Sequence, residues 1–226
     1  MDSKKPDQTI VPASRPGFPG AFLLKWLMVC GAILIVGGAY LTVRAVLHGP
    51  LPAGELKTVT EFHDDKRLPE FHLAGPKGPF ANANLQGQWS FVFFGYTQCP
   101  DICPTALGLM KDLQARLGAV PPAPTFQVVF ISIDPARDTH ALLDNYLAAF
   151  DPAFIGITGD DTELAPLTKD LGVFFQRNDT ADKKNYTVDH SAAIYLINPK
   201  GQLVALFSPP QAADKMAADY RRITAQ

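Results

Sequence analysis

The sequence predicts an α/β domain carried behind an N-terminal apolar segment. Continuous apolar runs, as expected for strands covered on both faces, alternate with segments of helical spacing. The chain then closes with a hairpin pattern and one more helix. Ahead of all this, Trp26–Val43 is eighteen residues long without a formal charge. A length of 226 residues suits one domain of roughly 150–170 residues plus an appendage. A net charge of −2 gives no electrostatic footprint for nucleic acid, and three cysteines are too few for a disulfide framework.

The appendage comes first. Residues 1–20, rich in proline and polar groups, are expected as a flexible cytoplasmic tail, and residues 21–47 as a single transmembrane anchor. At helical rise Trp26–Val43 covers roughly 27 Å, about the thickness of a hydrocarbon core. Lys25 and Arg44 bracket it, placed to snorkel to the two interfaces. A cleaved signal peptide is the competing reading, but the run is longer than the usual core of such a peptide. A lipoprotein site at Cys30 lacks the small residue it needs in Leu27-Met28-Val29, so Cys30 reads as inert packing. Lys4, Lys5, Arg15 and Lys25 precede the segment, against Arg44 and Lys57 just after it. This places the N-terminus in the cytoplasm and the domain outside, which for a bacterial inner-membrane protein means the periplasm.

Residues 48–67 read as a linker and residues 68–226 as the domain. Leu68–Trp89, broken by Gly75-Pro76, Gly78-Pro79 and Gly87, predicts a hairpin. Phe91–Tyr96 predicts a buried strand, Thr105–Leu117 a helix, Phe126–Ile133 a strand and Ala141–Phe150 a helix. Phe154–Thr158 and Thr162–Leu171 repeat the pair. Phe175–Lys184 is polar and reads as a flexible loop. Ala192–Ile197 and Leu203–Phe207 form a hairpin through Asn198-Pro199-Lys200-Gly201, and Ala212–Ile223 is the last helix. This order describes a thioredoxin-like sandwich with an N-terminal hairpin extension. In such a sheet the working site lies beyond the carboxyl end of a central strand.

Cys99-Pro100-Asp101-Ile102-Cys103-Pro104 occupies that place. Proline suits a first helical position, and the residue before it avoids helical dihedrals, so Cys103 is expected near the N-cap and Cys99–Cys103 as a loop. Helical positions four apart hold their Cβ atoms roughly 5–6 Å apart, whereas a disulfide needs about 3.5–4.5 Å. A loop adjusts between the two, so the pair suits either a disulfide or a metal. The helix N-terminus favours thiolate, the form both chemistries use.

Of five histidines, His48, His63, His72 and His140 read as solvated surface. His190, in Tyr186-Thr187-Val188-Asp189-His190-Ser191, precedes a strand that this fold starts near the thiol loop. A mobile loop carrying His190 onto a metal held by two thiolates is one reading; an unengaged histidine is the other. Two thiolates and one imidazole make a soft site, suited to copper; structural zinc wants four protein ligands. Asp138 or Thr139 reads as the cap of the next helix, while Asp134 at a strand end reads as a residue placed to help dock a partner. Asp189 is either a carboxylate that orients His190 or a turn residue. No arginine adjoins the thiol loop in sequence, which argues against a peroxidase.

Gly95-Tyr96-Thr97-Gln98-Cys99-Pro100-Asp101-Ile102-Cys103-Pro104-Thr105 resembles the first sequence block of the Sco/SenC family. Ser132-Ile133-Asp134-Pro135-Ala136-Arg137-Asp138-Thr139 is similar to its second. Val188-Asp189-His190-Ser191 and Tyr195-Leu196-Ile197-Asn198-Pro199-Lys200-Gly201 are similar to its third, and the resemblance runs from about residue 68 to 224. It implies a membrane-tethered thioredoxin-like copper protein with Cys99, Cys103 and His190 as the ligands of Cu(I), Cu(II) or both. It further implies a metallochaperone for the binuclear copper centre of cytochrome c oxidase. The implied partners are oxidase subunit II or its assembly factors, a copper donor protein, and the membrane through one N-terminal helix. The alternative within the same resemblance is a thiol-disulfide oxidoreductase that reduces the oxidase cysteines, with Cys99 and Cys103 as the catalytic pair. Two departures stand out: Gln98 where many relatives carry histidine, and a short Leu68–Trp89 segment.

Overall fold

Strand β4 (Trp89–Gly95) is the axis of the domain, because its residues are apolar on both sides and all but Trp89 are buried. It pairs in parallel with β5 (Phe126–Ser132), which pairs in parallel with β6 (Ile155–Ile157). On its other side β4 pairs antiparallel with β9 (Ile194–Ile197), then β10 (Gln202–Phe207) and finally β1 (Val59–Arg67). The six-stranded order is therefore β1-β10-β9-β4-β5-β6. Two short ribbons stand apart from it, β2–β3 (His72–Gly75 with Gly78–Ala81) and β7–β8 (Phe175–Asn178 with Thr187–His190). The helices are α1 (Ile102–Gly118), α2 (His140–Ala148), α3 (Asp161–Asp170) and α4 (Ala213–Thr224). This computed structural model describes Met28, Cys30, Gly31 and residues 33–40, 58–118, 125–179 and 185–225.

Alternation along β4 divides the core. Phe91 faces α4, edge-on to Phe126 at 5.0 Å and tilted against Tyr220 at 5.4 Å. The buried Met216, Ala217, Tyr220 and Ile223 recur at helical spacing, which gives α4 one apolar stripe for this purpose. Val92 points the other way, into a pocket closed by Phe71 and Phe80 of the hairpin region and Leu167 of α3. Each fully buried side chain of this size contributes about 1.5–3 kcal/mol, so the sheet is held from both faces. The hairpin is bolted to the end of β6 by Ala74 and Thr158, whose backbone groups exchange hydrogen bonds of 2.7 and 3.0 Å.

The sequence boundaries shift in three places. Residues 59–67, within the expected linker, form β1, an edge strand of the main sheet. Helix α1 starts at Ile102, so Cys103 and Pro104 lie in its first turn instead of before it. The first turn makes no intrahelical N–H bonds, so Pro104 costs nothing there. Phe175–Asn178, expected as loop, is strand β7 and pairs Phe175 with His190. Its partner β8, Thr187–His190, is likewise not among the expected strands, while the remaining main-sheet strands and the helices fall where expected, to within a few residues.

The unit Met1–Leu56 is separate. Of the expected anchor, the described residues are helical, and Cys30, Ile33, Leu34, Ile35 and Val36 are exposed, so Cys30 is not packed within the protein. The remainder of Trp26–Val43, the tail 1–20 and the stretch 48–57 lie outside the described residues. Among described residues no helix is long and apolar enough to cross a membrane.

Gly95 is where β4 runs closest to α1. A Cβ there would stand 2.6 Å from Cys103 Sγ and 2.9 Å from the Phe130 ring. Gly95→Ala is therefore expected to lower stability by about 1–3 kcal/mol through overpacking. Urea unfolding measures this, and an unchanged midpoint would mean that the strand and helix part freely at this point.

Candidate metal centre

The site is built where β4 ends. The chain turns through Tyr96, whose carbonyl accepts from Cys99 N at 3.2 Å, and enters α1, whose first bond runs from Thr105 N to Asp101 O at 3.2 Å. The turn leaves Cys99 outside the helix and Cys103 inside it, both buried and both free thiols. Cys103 N donates to Cys99 Sγ at 3.4 Å. A sulfur at a helix N-terminus that also receives a backbone N–H is stabilised as an anion. The hydrogen bond from the Cys103 thiol is the largest cause and lowers the Cys99 pKa to about 3, against the opposing effect of burial. The same shared proton, followed by burial, drives Cys103 upward. The two thiols are thus coupled, with Cys99 the more acidic of the pair.

His190 closes the site from the far end of β8. Its Nε2 lies 3.3 Å from Cys103 Sγ and 3.7 Å from Cys99 Sγ. Its Nδ1 lies 3.0 Å from Ser191 O. A carbonyl only accepts, so Nδ1 carries the hydrogen and the lone pair of neutral His190 sits on Nε2, toward the sulfurs. The ring is wedged edge-on between Phe93 and Tyr96, at 5.9 and 5.8 Å between centroids. The main chain beside it is fixed by Ser191 N to Phe174 O, 2.8 Å, and by Phe174 N to Ser191 Oγ, 3.0 Å.

The three donor atoms lie within 4.8 Å of one another. Metal–sulfur bonds of about 2.3 Å and metal–nitrogen bonds of about 2.0 Å put sulfur and nitrogen roughly 3.8 Å apart in a trigonal site. The observed separations of 3.7 and 3.3 Å are close to that value and inside it, so the residues suit a soft ion once Nε2 and Cys103 Sγ move slightly apart. Among described residues this is the only group of three or more such side chains that could hold a metal ion.

Sequence reasoning placed these three residues and missed their supports. Asp138 does not cap α2; Thr139 does, accepting from Leu142 N at 3.3 Å. Asp138 is instead buried under the thiol turn, accepting from Thr97 N at 3.0 Å, from the Thr97 hydroxyl and from Ser132 Oγ at 2.6 Å. Burial pushes its carboxyl upward, and the bonds from Ser132 and Thr97 oppose that. Asp134 is buried too, ion-paired with Arg137 and accepting from the Tyr186 hydroxyl. Asp189 points to solvent, so the group that orients His190 is the Ser191 carbonyl. Arg137, remote in sequence from the thiols, bonds through Nε to Asp134 and through Nη1 to Gln98 Oε1 at 3.2 Å and Tyr186 O at 2.9 Å. Period-two alternation puts Tyr186, Val188 and His190 on one side of β8, a signal from which Tyr186 was legible. His72 is exposed beside Glu70, and His140 opens α2; neither joins the cluster. His63 lies in β1, and His48 falls outside the described residues.

The domain is a thioredoxin-like sandwich, and proteins similar to it share both the fold and the sequence. The SCO1/SenC family model matches residues 60–225. A curated relative, "Protein SCO2 homolog, mitochondrial" of Mus musculus, is 36% identical over 154 residues, 68% of this chain and 60% of that protein. The chain thus spans less than two thirds of the mouse protein's length. The "SCO2-like protein" of Rickettsia felis is 34% identical over 193 residues, 82% of this chain and 89% of that protein. Among solved structures, that of Bradyrhizobium japonicum ScoI with copper bound aligns at a TM-score of 0.61 and 36% identity, over 69% of this chain and 98% of the other. With the family model covering most of its length and relatives above 30% identity over most of it, the chain belongs to the SCO1/SenC family.

Proposed function

We propose that this protein is a membrane-anchored copper metallochaperone that supports assembly of the binuclear copper centre of cytochrome c oxidase. The observation that carries the reading is the convergence of Cys99 Sγ, Cys103 Sγ and His190 Nε2, with the imidazole tautomer set so that its lone pair faces both sulfurs. Three donors of this kind suit Cu(I), which accepts low coordination and thiolate; the imidazole also suits Cu(II). Copper is cargo here. Cys99 is the more acidic of the two thiols, and loading a cation on the pair releases protons from it. In this reading the copper comes from a donor protein and passes to oxidase subunit II or to another assembly factor. The domain works in the periplasm of a bacterium, tethered to the inner membrane by the N-terminal helix. The apolar run Trp26–Val43 and the copper-bound relative support these assignments.

The second reading, thiol-disulfide exchange on the oxidase cysteines, is favoured by the acidity of Cys99. Cys99 would attack a target disulfide and Cys103 would resolve the mixed disulfide, leaving the target reduced and this pair oxidised. The same two sulfurs serve both chemistries, and only metal binding gives His190 a role.

Anaerobic titration with Cu(I) is expected to show one ion bound per chain. His190→Ala should weaken it by more than the roughly 10–100-fold that loss of an outer-shell partner costs. Full affinity in that variant would remove the histidine from the site.

The thiolate of Cys99 should survive acidification. Its pKa lies below the ordinary value, so the anion is the folded form at neutral pH and is lost only as pH falls toward about 3. In metal-free protein the ultraviolet absorbance of one thiolate is expected to persist from about pH 8 down to about pH 5, where an ordinary thiol is protonated. Cys99→Ser should abolish it. Absorbance that vanishes by about pH 7 would show that the pair holds two protons.

For the exchange reading, Cys103→Ser should trap an oxidase-derived cysteine as a stable mixed disulfide at Cys99, detected by non-reducing electrophoresis and mass spectrometry. A Cys103→Ser chain that traps nothing while the wild type binds copper would leave metal delivery alone.

A further inference from the structure

His190 belongs to no part of the main sheet. Its strand, β8, is four residues long and pairs only with β7. A two-stranded ribbon is marginally stable by itself, so its place over the thiol turn must be set by contacts to the domain. Those contacts gather on Tyr186, the residue just before β8, which alternates onto the same side as Val188 and His190. The Arg137 guanidinium carbon lies 3.5 Å from the centroid of the Tyr186 ring, and that of Arg177 lies 3.5 Å from the same centroid. Two guanidinium groups cannot share one face at that distance, so the ring is held between them. The Tyr186 hydroxyl donates to Asp134 and the Tyr186 carbonyl accepts from Arg137 Nη1 at 2.9 Å. Arg137 is itself fixed by Asp134 and by Gln98, next to Cys99, and its side chain is only 12% exposed. One residue pair along, Val188 N donates to the hydroxyl of Tyr96 at 3.2 Å.

We infer that Tyr186, clamped between Arg137 and Arg177, is the positioning residue that holds His190 over the two sulfurs. The inference rests on the reading of Cys99, Cys103 and His190 as a copper site. The clamp adds no ligand. It removes freedom from the ribbon, so that the imidazole is in place before the ion arrives, and the ordering cost is met in folding. The planar stack explains why arginine stands at both positions: a lysine offers a point charge, with no face to lay on the ring.

A double-mutant cycle on anaerobic Cu(I) affinity tests this. Tyr186→Leu, which loses both stacks and the hydroxyl, is expected to weaken binding about 10–100-fold, as loss of an outer-shell support does. Tyr186→Phe keeps both ring faces and should retain most of the affinity. In a His190→Ala background, Tyr186→Leu should have no further effect, because the residue acts only through the histidine. Equal losses with and without His190, or full affinity in Tyr186→Leu, would overturn the inference. Metal-free protein supplies the second arm. Nitrogen-15 NMR should show one sharp Nδ1–H tautomer for His190 in the wild type and in Tyr186→Phe, and exchange-broadened or averaged ring signals in Tyr186→Leu. Unaltered ring signals in Tyr186→Leu would overturn it without copper in the sample. A wild-type chain that binds no copper yet shows this NMR pattern would sink the copper reading and leave the clamp standing.

Discussion

The arrangement depends on bringing an imidazole and two sulfurs into one buried volume from opposite ends of the domain's sequence. His190 and Cys99 are 91 positions apart, and their contact closes the chain across the open end of β4. Burial makes the contact selective. A polar atom shielded from water must find a partner or lose free energy, so each of the three groups is restricted to few orientations. The Ser191 carbonyl takes the Nδ1 hydrogen, the Cys103 amide reaches for Cys99 Sγ, and the Cys103 thiol supports the acidity of Cys99. What is left facing the centre is a lone pair and two sulfurs.

A single turn braces both halves of this site. Between β5 and α2, Asp138 holds Thr97 two residues before Cys99, while Arg137 holds Gln98 on one side and Tyr186 on the other. Asp134 anchors both Arg137 and the Tyr186 hydroxyl. The thiol turn and the histidine ribbon make no strand pairing with each other, yet both are referenced to the same short segment. A displacement of that segment moves sulfurs and imidazole together, which preserves their spacing. This gives a physical reason for the charged residues of Asp134-Pro135-Ala136-Arg137-Asp138 to be engaged with the domain and not with solvent.

The main sheet was legible because it obeys local rules. Phe91–Phe94 is apolar on both faces, and helical spacing after Cys103 marks α1. What sequence reading missed is long-range. Glu61, Asp64 and Lys66 make Val59–Arg67 look like linker, and only pairing with β10 makes it an edge strand. Phe175–Asn178 is polar because its ribbon lies outside the main sheet, and partnership with Thr187–His190 decides its form. Cys103-Pro104 was read as a helix boundary from the preference of residues before proline, but the first turn tolerates that pair, and Asp101 already starts the hydrogen bonds. Cys99 and Cys103 announce themselves by spacing. His190 is one of five histidines, and nothing local separates it from the others; the family resemblance and the fold do. The cap expected at Asp138 or Thr139 is Thr139, and only the position of Thr97 reveals the other use of Asp138.

The two chemistries open to the cysteines make different demands on this geometry. Exchange needs an exposed, acidic attacking sulfur and a second sulfur close enough to resolve it. Cys99 is acidic, but it is buried under the imidazole, and a target disulfide would have to displace His190 to approach in line. Metal binding needs the opposite: donors already converged, deprotonated at little cost and shielded from competing water. The histidine, its fixed tautomer and the tyrosine clamped between two arginines all serve the second demand and hinder the first. Exchange therefore requires the β7–β8 ribbon to swing away, whereas copper binding uses the ribbon where it already lies. The stiffness of that ribbon bears differently on the two chemistries, favouring metal binding over exchange.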